Sequence, residues 1–221
     1  MNKTSFDPRQ ITILAMFTAL SFVLVLVSEA IPKVAGFLSY EPKDAIIVTA
    51  GLLFGPAPAV IICFLVAFIE MITISATGPI GFLMNVISTC SFVLPASMFY
   101  KKNRTKTGAV IGLVFGTVMM TVVMVLWNYI ITPLYMHVDR VEVVKMMLPV
   151  FIPFNLIKGG INAALTLLLY KPVVNALRSV NLAEPSASGG EKGKFSPGSF
   201  AISLAVLVTF VLALLALLGV F

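Results

Sequence analysis

The sequence is poor in charge and contains very little histidine and cysteine. Only 11% of its 221 residues are charged, with one histidine and two cysteines, whereas an ordinary soluble domain has roughly 25% charged residues. One histidine cannot build a histidine-rich metal centre. The cysteines, Cys63 and Cys90, both lie in apolar runs, where a thiol usually acts as a small buried hydrophobe. These shortages disfavour a soluble domain and exclude a histidine-rich metal site.

The sequence also lacks the usual motifs of nucleotide-binding proteins and hydrolases. Residues 189–195, GGEKGKF, come near the phosphate-loop pattern, but Ser188 stands where that pattern needs glycine and Phe195 where it needs a hydroxyl. No H-E-x-x-H motif occurs, and His137 with Asp139 is better interpreted as a solvated pair in a loop than as part of a catalytic triad. We therefore predict no catalytic residue, no metal ligand and no cofactor of the chain's own.

Long apolar runs are what the sequence has in abundance. Hydrophobic residues make up 59% of the chain, and its mean hydropathy is +1.06. A helix needs about 20 apolar residues to cross a bilayer, so several crossings fit. Because backbone groups in lipid must be satisfied internally, helices are the favoured structure. The sequence predicts an all-α integral membrane protein.

Proline, glycine and charge divide the chain into seven apolar runs. The first is longer than the apolar part of a usual signal peptide, so we interpret it as a membrane helix. The second is too short to cross about 30 Å of hydrocarbon and must be tilted, shielded by neighbours or extended. The last contains no charge, and a lipid-facing anchor is its default role. The runs are 11–27, 45–54, 59–74, 80–99, 109–131, 154–170 and 200–221.

Loop charges predict the domains and their orientation. With the N-terminus in the cytoplasm, ten of the 15 basic residues lie in cytoplasmic segments, as the positive-inside rule requires. The outer loops keep Lys33, Lys43, Arg140 and Lys145. We therefore predict a six-helix membrane domain over 1–178, a flexible cytoplasmic linker over 179–199 and a seventh membrane helix over 200–221. The net charge of +6 reflects this topology and indicates no nucleic-acid binding.

A few polar residues interrupt the predicted membrane helices. Such residues are costly in lipid, so each is a functional candidate. In the predicted orientation most lie in the outer half of the bundle, where they would line one outward-facing pocket. The competing interpretation is that Lys158 reaches the outer interface or pairs with Glu70. The candidates are Glu70, Asn85, Ser88, Asn128, Asn155, Lys158 and Asn162.

Residues 155, 158 and 162 fall on one helical face, so two amides and an ammonium group point the same way. Before the second helix, Tyr40, Glu41 and Asp44 cluster in a loop that would cover such a pocket. Asp44 itself is expected to be the N-cap of that helix.

Small residues recur at four-residue spacing in two helices, at Ala15 and Ala19 and again at Gly108, Gly112 and Gly116. This spacing allows close contact between membrane helices. Internal packing is expected for the glycines. For the alanines, either internal packing or a partner surface fits the pattern.

Four sequence features together resemble a known family. They are the A-x-x-x-A of the first helix, TGPIGFLMN at 77–85, WNYIITPLY at 127–135 and PFNLIKG at 153–159. Over residues 11–178 the chain resembles the riboflavin-specific S components of energy-coupling factor (ECF) transporters. The resemblance implies a multi-pass substrate-binding subunit of a bacterial-type cell membrane.

The resemblance also implies partners and a ligand site. A transmembrane coupling subunit and two cytoplasmic ATPases would supply the energy, and Ala15 and Ala19 would form the docking face. Riboflavin would be the transported ligand, held at its polar edge by asparagines and a lysine that also tolerates a phosphorylated flavin. Two alternatives stay open: an S component for another small vitamin or heterocycle, and a membrane enzyme with Glu70 and Lys158 as acid and base. The implied substrate-binding residues are Tyr40, Glu41, Gly81, Asn85, Trp127, Asn128, Asn155 and Lys158.

Overall fold

The apolar runs form helices that pack into a membrane bundle. A computed structural model describes residues 8–179 and 197–220, so most of the predicted linker, residues 180–196, lies outside the described residues. A five-residue π-helical turn, Met147–Phe151, joins the sixth and seventh helices. The helices are α1 (Pro8–Ser28), α2 (Lys43–Phe54), α3 (Pro56–Thr73), α4 (Gly78–Lys102), α5 (Lys106–Met136), α6 (Arg140–Met146), α7 (Ile152–Ser179) and α8 (Pro197–Leu217).

Six stretches of the described chain are helical, long and apolar enough to cross a membrane, which confirms the predicted all-α membrane fold. They are α1, α3, α4, α5, the α6–α7 unit and α8. The short α2 lies inside the bundle and contacts α1, α3, α4 and α7. Every residue from Lys43 to Leu52 is buried, so the neighbouring helices shield this segment.

The segment before α7 differs from the sequence prediction. The sequence analysis places Arg140 and Lys145 in an outer loop between the runs 109–131 and 154–170, but residues 140–151 form α6 and the π-helical turn. Proline is tolerated here because the turn already departs from regular α-helical hydrogen bonding. One continuous helical unit, Arg140–Leu177, therefore carries Asn155 and Lys158 near its middle.

The glycines of α5 allow it to pack closely against α4, as predicted. A Cβ atom on Gly116 would lie 2.5 Å from the carbonyl oxygen of Phe92, and one on Gly112 would lie 2.9 Å from that of Ala96. Only glycine permits this approach of the two backbones. Gly108 instead faces the backbone of Asn103 in the preceding loop.

The alanines of α1 behave differently, since Ala15 and Ala19 are exposed on the outer surface of the bundle. The neighbouring Leu14, Phe17 and Thr18 are buried. Internal packing therefore does not account for the A-x-x-x-A spacing.

Candidate functional site

A cavity of about 140 Å³ lies where the loop before α2 meets α3, α4, α5 and α7. Its walls combine apolar side chains such as Met84, Met124 and Phe154 with several polar groups. The polar residues come from segments far apart in sequence, which the bundle brings together. Six of the eight predicted substrate-binding residues line it, namely Glu41, Gly81, Asn85, Asn128, Asn155 and Lys158.

One side of the cavity contains a chain of ion pairs that starts from Lys43. The Lys43 ammonium lies 2.9 Å from the Glu41 carboxylate and 2.6 Å from the Glu70 carboxylate. Glu70 also accepts a 2.6 Å hydrogen bond from the amide of Asn85. This chain links α2, α3 and α4 through charge-assisted hydrogen bonds, which are stronger than neutral ones.

The second half of the network is centred on Lys158. Its ammonium lies 2.8 Å from the Glu41 carboxylate and 3.8 Å from the Asp44 carboxylate. Asp44 accepts a 2.7 Å hydrogen bond from the hydroxyl of Thr89. Glu41 therefore bridges two lysines, and the whole network ties the loop to α2, α3, α4 and α7.

The network places three carboxylates against two ammonium groups, so no lysine in it lacks an acidic partner. Burial opposes ionisation of Glu41, yet the charges and hydrogen bonds of Lys158 and Lys43 lower the pKa of its carboxyl to about 2. Glu41 therefore stays ionised at neutral pH. Lys158 is a paired cation and not an isolated one.

One sequence expectation about these residues is wrong, and so is one alternative that the sequence left open. Asp44 is not an N-cap: Pro42 occupies that position and provides no side-chain cap, while Asp44 is fully buried and paired with Lys158. Lys158 does not pair with Glu70. Lys158 pairs with the Glu41 carboxylate, and Glu70 pairs with the Lys43 ammonium. A buried charge needs its partner nearby, and α2 supplies partners to both residues.

Asn162, to which the sequence assigned no role, anchors the loop. Its amide nitrogen donates a 3.2 Å hydrogen bond to the carbonyl oxygen of Glu41, and its carbonyl oxygen accepts one of 3.5 Å from the Tyr40 hydroxyl. Tyr40 is buried but does not line the cavity. Its hydrogen bond to Asn162 attaches the loop to α7 on the side away from the cavity and so positions Glu41.

Asn128 and Asn155 line the cavity with partly used amide groups. The side-chain nitrogen of Asn128 donates to the carbonyl oxygen of Met124 at 2.7 Å, and that of Asn155 donates to Phe151 at 2.8 Å. Thr132 donates a 2.9 Å hydrogen bond to the side-chain oxygen of Asn128. Each amide nitrogen carries two hydrogens, so each asparagine is held in orientation and keeps a donor for a ligand.

Two further polar groups near the cavity have no hydrogen-bond partner among the described residues. They are the hydroxyl of Ser88, which lines the cavity, and the buried indole nitrogen of Trp127, which does not. Buried polar atoms are normally paired, so the Ser88 hydroxyl is available to a ligand in the cavity. The sequence marked Ser88 as an intramembrane polar residue, but the resemblance gave it no role.

Sequence reasoning missed Lys43, which it counted among the outer-loop charges. Lys43 is 1% exposed and lies at the start of a helix too short to span the membrane. The only available signal was its position between Glu41 and Asp44, directly before an uncharged run.

Comparison with known proteins gives consistent matches. The family model described as "ECF transporter, substrate-specific component" matches residues 9–170. The riboflavin transporter RibU of Staphylococcus aureus is 29% identical over 79% of this chain and 94% of its own length. RibU of Streptococcus thermophilus is 30% identical over 77% of this chain and 85% of its own length. The riboflavin transporter FmnP of Bacillus subtilis is 25% identical over 79% of this chain and 98% of its own length.

A solved structure, described as the S component of a bacterial ECF transporter, has the same fold. It superposes with a TM-score of 0.66 at 28% identity, covering 77% of this chain and 98% of that one. The residues that match the family model, 9–170, end before α8.

Proposed function

Because this chain belongs to the family of substrate-specific components of ECF transporters, we propose that it binds riboflavin from outside the cell and delivers it inward. It is a multi-pass membrane protein and not an enzyme, so the acid–base interpretation of Glu70 and Lys158 is wrong. Delivery would require a transmembrane coupling subunit and two cytoplasmic ATPases, with the N-terminus of this chain in the cytoplasm. Three relatives named as riboflavin transporters support the choice of ligand.

The observation that carries the proposal is the cavity with two oriented amides on apolar walls. Riboflavin has a flat, largely apolar ring with carbonyl and imide groups at one edge. Met84, Met124 and Phe154 offer contact surface for the ring, and Asn128 and Asn155 offer donors for its polar edge. A mostly apolar cleft with a few convergent polar groups is the usual form of a small-molecule site.

The remaining predicted residues take supporting roles in this proposal. Gly81 and Asn85 line the cavity at the start of α4, next to the turn that precedes that helix. Trp127 does not line the cavity and packs against the buried core of the bundle, so its role would be to support the cavity wall. Tyr40 and Glu41 would hold the covering loop, with Lys158 fixing Glu41 as well as facing the cavity.

Binding requires the covering segments to move. The cavity measures about 140 Å³, whereas small-molecule sites occupy about 300–1,000 Å³. The lining segments outside regular helices are residues 29–41 and 74–77. Loops change position at lower energetic cost than packed helices, so these two segments would open to admit the ligand and close over it.

The charge of the site favours a neutral flavin over a phosphorylated one. Lys158 is already paired with Glu41 and Asp44, so the site offers no unpaired cation to a phosphate and places the ionised Glu41 beside it. A phosphate group carries about −1.5 to −2 charges at pH 7 and would be repelled. We expect flavin mononucleotide to bind at least about tenfold more weakly than riboflavin, a difference of roughly 1.4 kcal/mol.

Competition for the purified protein measures this difference, with flavin mononucleotide displacing bound riboflavin in a fluorescence assay at fixed ionic strength. Equal affinities would contradict the charge argument. Tight binding of an unrelated vitamin with no binding of either flavin would point to an S component of different specificity.

Docking to the coupling subunit is proposed for the exposed Ala15 and Ala19. Small residues let another helix approach closely, so Ala15→Trp should abolish co-purification with the coupling subunit and leave riboflavin binding unchanged. Val114→Trp is the matched control, since Val114 is 58% exposed on α5 and places the same bulk on another face. Retained co-purification of Ala15→Trp, or equal loss in the control, would contradict this docking face.

A further inference from the structure

The last helix, α8, packs on the bundle through a single face. The residues of that face are more buried than their neighbours and recur at spacings of four and three, as in paired helices. Most of the others are exposed, as expected next to lipid. The α8 face consists of Ser203, Leu207, Phe210, Leu214 and Leu217.

The contact with α7 is close. A Cβ atom on Gly160 would lie 2.5 Å from the ring of Phe210, so the aromatic ring occupies the space that a larger side chain at position 160 would need. Gly160 lies two residues after Lys158 and two before Asn162 on the same helix. The uncharged α8 is therefore more than the lipid-facing anchor that its sequence predicts.

The same packing extends to the loop that covers the cavity. Leu214 is 7% exposed and belongs to one hydrophobic cluster with Val34, Leu38 and Tyr40 of the loop and with Phe154 of α7. Val34 and Leu38 exchange two backbone hydrogen bonds of 2.9 and 3.0 Å, so this part of the loop forms a compact unit. Opening the loop would remove Val34 and Leu38 from that cluster.

We propose that α8 is a positioning element for the binding site: by packing on α7 and sharing a hydrophobic cluster with the loop, it holds the loop closed and slows ligand release. This inference rests on the proposed riboflavin binding. The helix lies outside the residues that match the family model, 9–170. The proposed ligand-contacting residues all lie within that range, so α8 would support the site without contacting the ligand. Its effect falls on the dissociation rate because most changes in affinity between related complexes arise there.

The test compares Leu214→Ala with Leu212→Ala, which makes the same truncation at a position that is 50% exposed. Riboflavin dissociation from the full-length protein is followed by recovery of flavin fluorescence after dilution. Leu214→Ala should raise the dissociation rate about five- to tenfold, while Leu212→Ala stays within about twofold of the unmodified protein. Phe210→Ala is a second variant in case Leu214→Ala does not fold, and it should act in the same direction.

A readout that needs no ligand separates this inference from the proposed function. Ser39 lines the cavity in the covering loop, and Ser39→Cys can be modified by a membrane-impermeant thiol reagent, with protein lacking that substitution as background. Modification should be several-fold faster when Leu214→Ala is also present. Unchanged modification and dissociation rates in Leu214→Ala and Phe210→Ala would overturn the role of α8. Failure of riboflavin to bind the unmodified protein would instead overturn the proposed function.

Discussion

Replacing Lys43 with methionine is expected to destabilise the protein by about 3–5 kcal/mol, the usual cost of removing one partner from a buried ion pair. Methionine keeps a similar length but leaves the carboxylates of Glu41 and Glu70 without the ammonium that lies 2.9 and 2.6 Å from them. Taking a charge out of water without compensation is among the largest single-residue penalties known. Thermal unfolding in detergent measures the effect.

The matched control is Lys33→Met. Lys33 is exposed and lies 3.9 Å from Glu29, and such surface pairs contribute about 0–1 kcal/mol. A second substitution tests the cause. In Lys43→Met, Glu41 keeps Lys158 at 2.8 Å but Glu70 loses its ammonium partner, so adding Glu70→Gln removes the uncompensated charge and should restore part of the lost stability. Equal unfolding temperatures for Lys43→Met and Lys33→Met would show that the network contributes little.

Replacing Asn128 or Asn155 with alanine is expected to weaken riboflavin binding by about 1–3 kcal/mol, which is roughly 5- to 150-fold in affinity. Each substitution removes an oriented amide that lines the cavity and leaves a polar atom of the ligand without a partner. The charge network is untouched, so stability should change much less than in Lys43→Met. Isothermal titration with riboflavin measures the affinity.

Asn175→Ala is the control, since Asn175 is exposed near the other end of the helix that carries Asn155. It should bind riboflavin normally. Unchanged affinity in both Asn128→Ala and Asn155→Ala would mean that these amides only stabilise their own helices. Lys158→Ala is a poorer test of ligand contact, because it would also leave Glu41 and Asp44 without their shared cation.

Much of this arrangement could be predicted from sequence. Apolar runs and bilayer thickness located the membrane helices, and helical periodicity placed Asn155 and Lys158 on one face. Alternating orientation brought Asn85 and Asn128 to the same side of the membrane. These predictions follow from local rules with a fixed period or a fixed thickness, and the structure places all four residues around one cavity.

The charge network could not be predicted, because it depends on where α2 lies. A segment of 12 residues can lie at the membrane surface or inside the bundle, and its composition does not separate these positions. Lys43 looked like a loop cation for this reason. The hydrogen bond from Asn162 to Glu41 joins residues 121 positions apart. Helical periodicity predicts contacts only between residues close in sequence, so it could not predict this one.

The sequence also could not predict which face of α8 packs against the bundle. In an uncharged helix, lipid-facing and protein-facing positions have similar side chains, because lipid is as apolar as leucine. The face that contacts α7 is therefore visible only from burial. Gly160, two residues after Lys158, leaves room for the ring of Phe210, but a glycine in the sequence does not show which side chain fills that space.

The central claim is that this chain binds riboflavin in the outward cavity, and titration of ligand-free purified protein into riboflavin tests it most directly. Flavin fluorescence should be quenched with one-to-one stoichiometry at micromolar concentration or below, since ring stacking and exclusion of water accompany enclosure in the cavity. In the same titration, Asn155→Ala should reach half-maximal quenching only at a higher protein concentration than the unmodified protein. No quenching at micromolar concentrations of the unmodified protein would contradict the account.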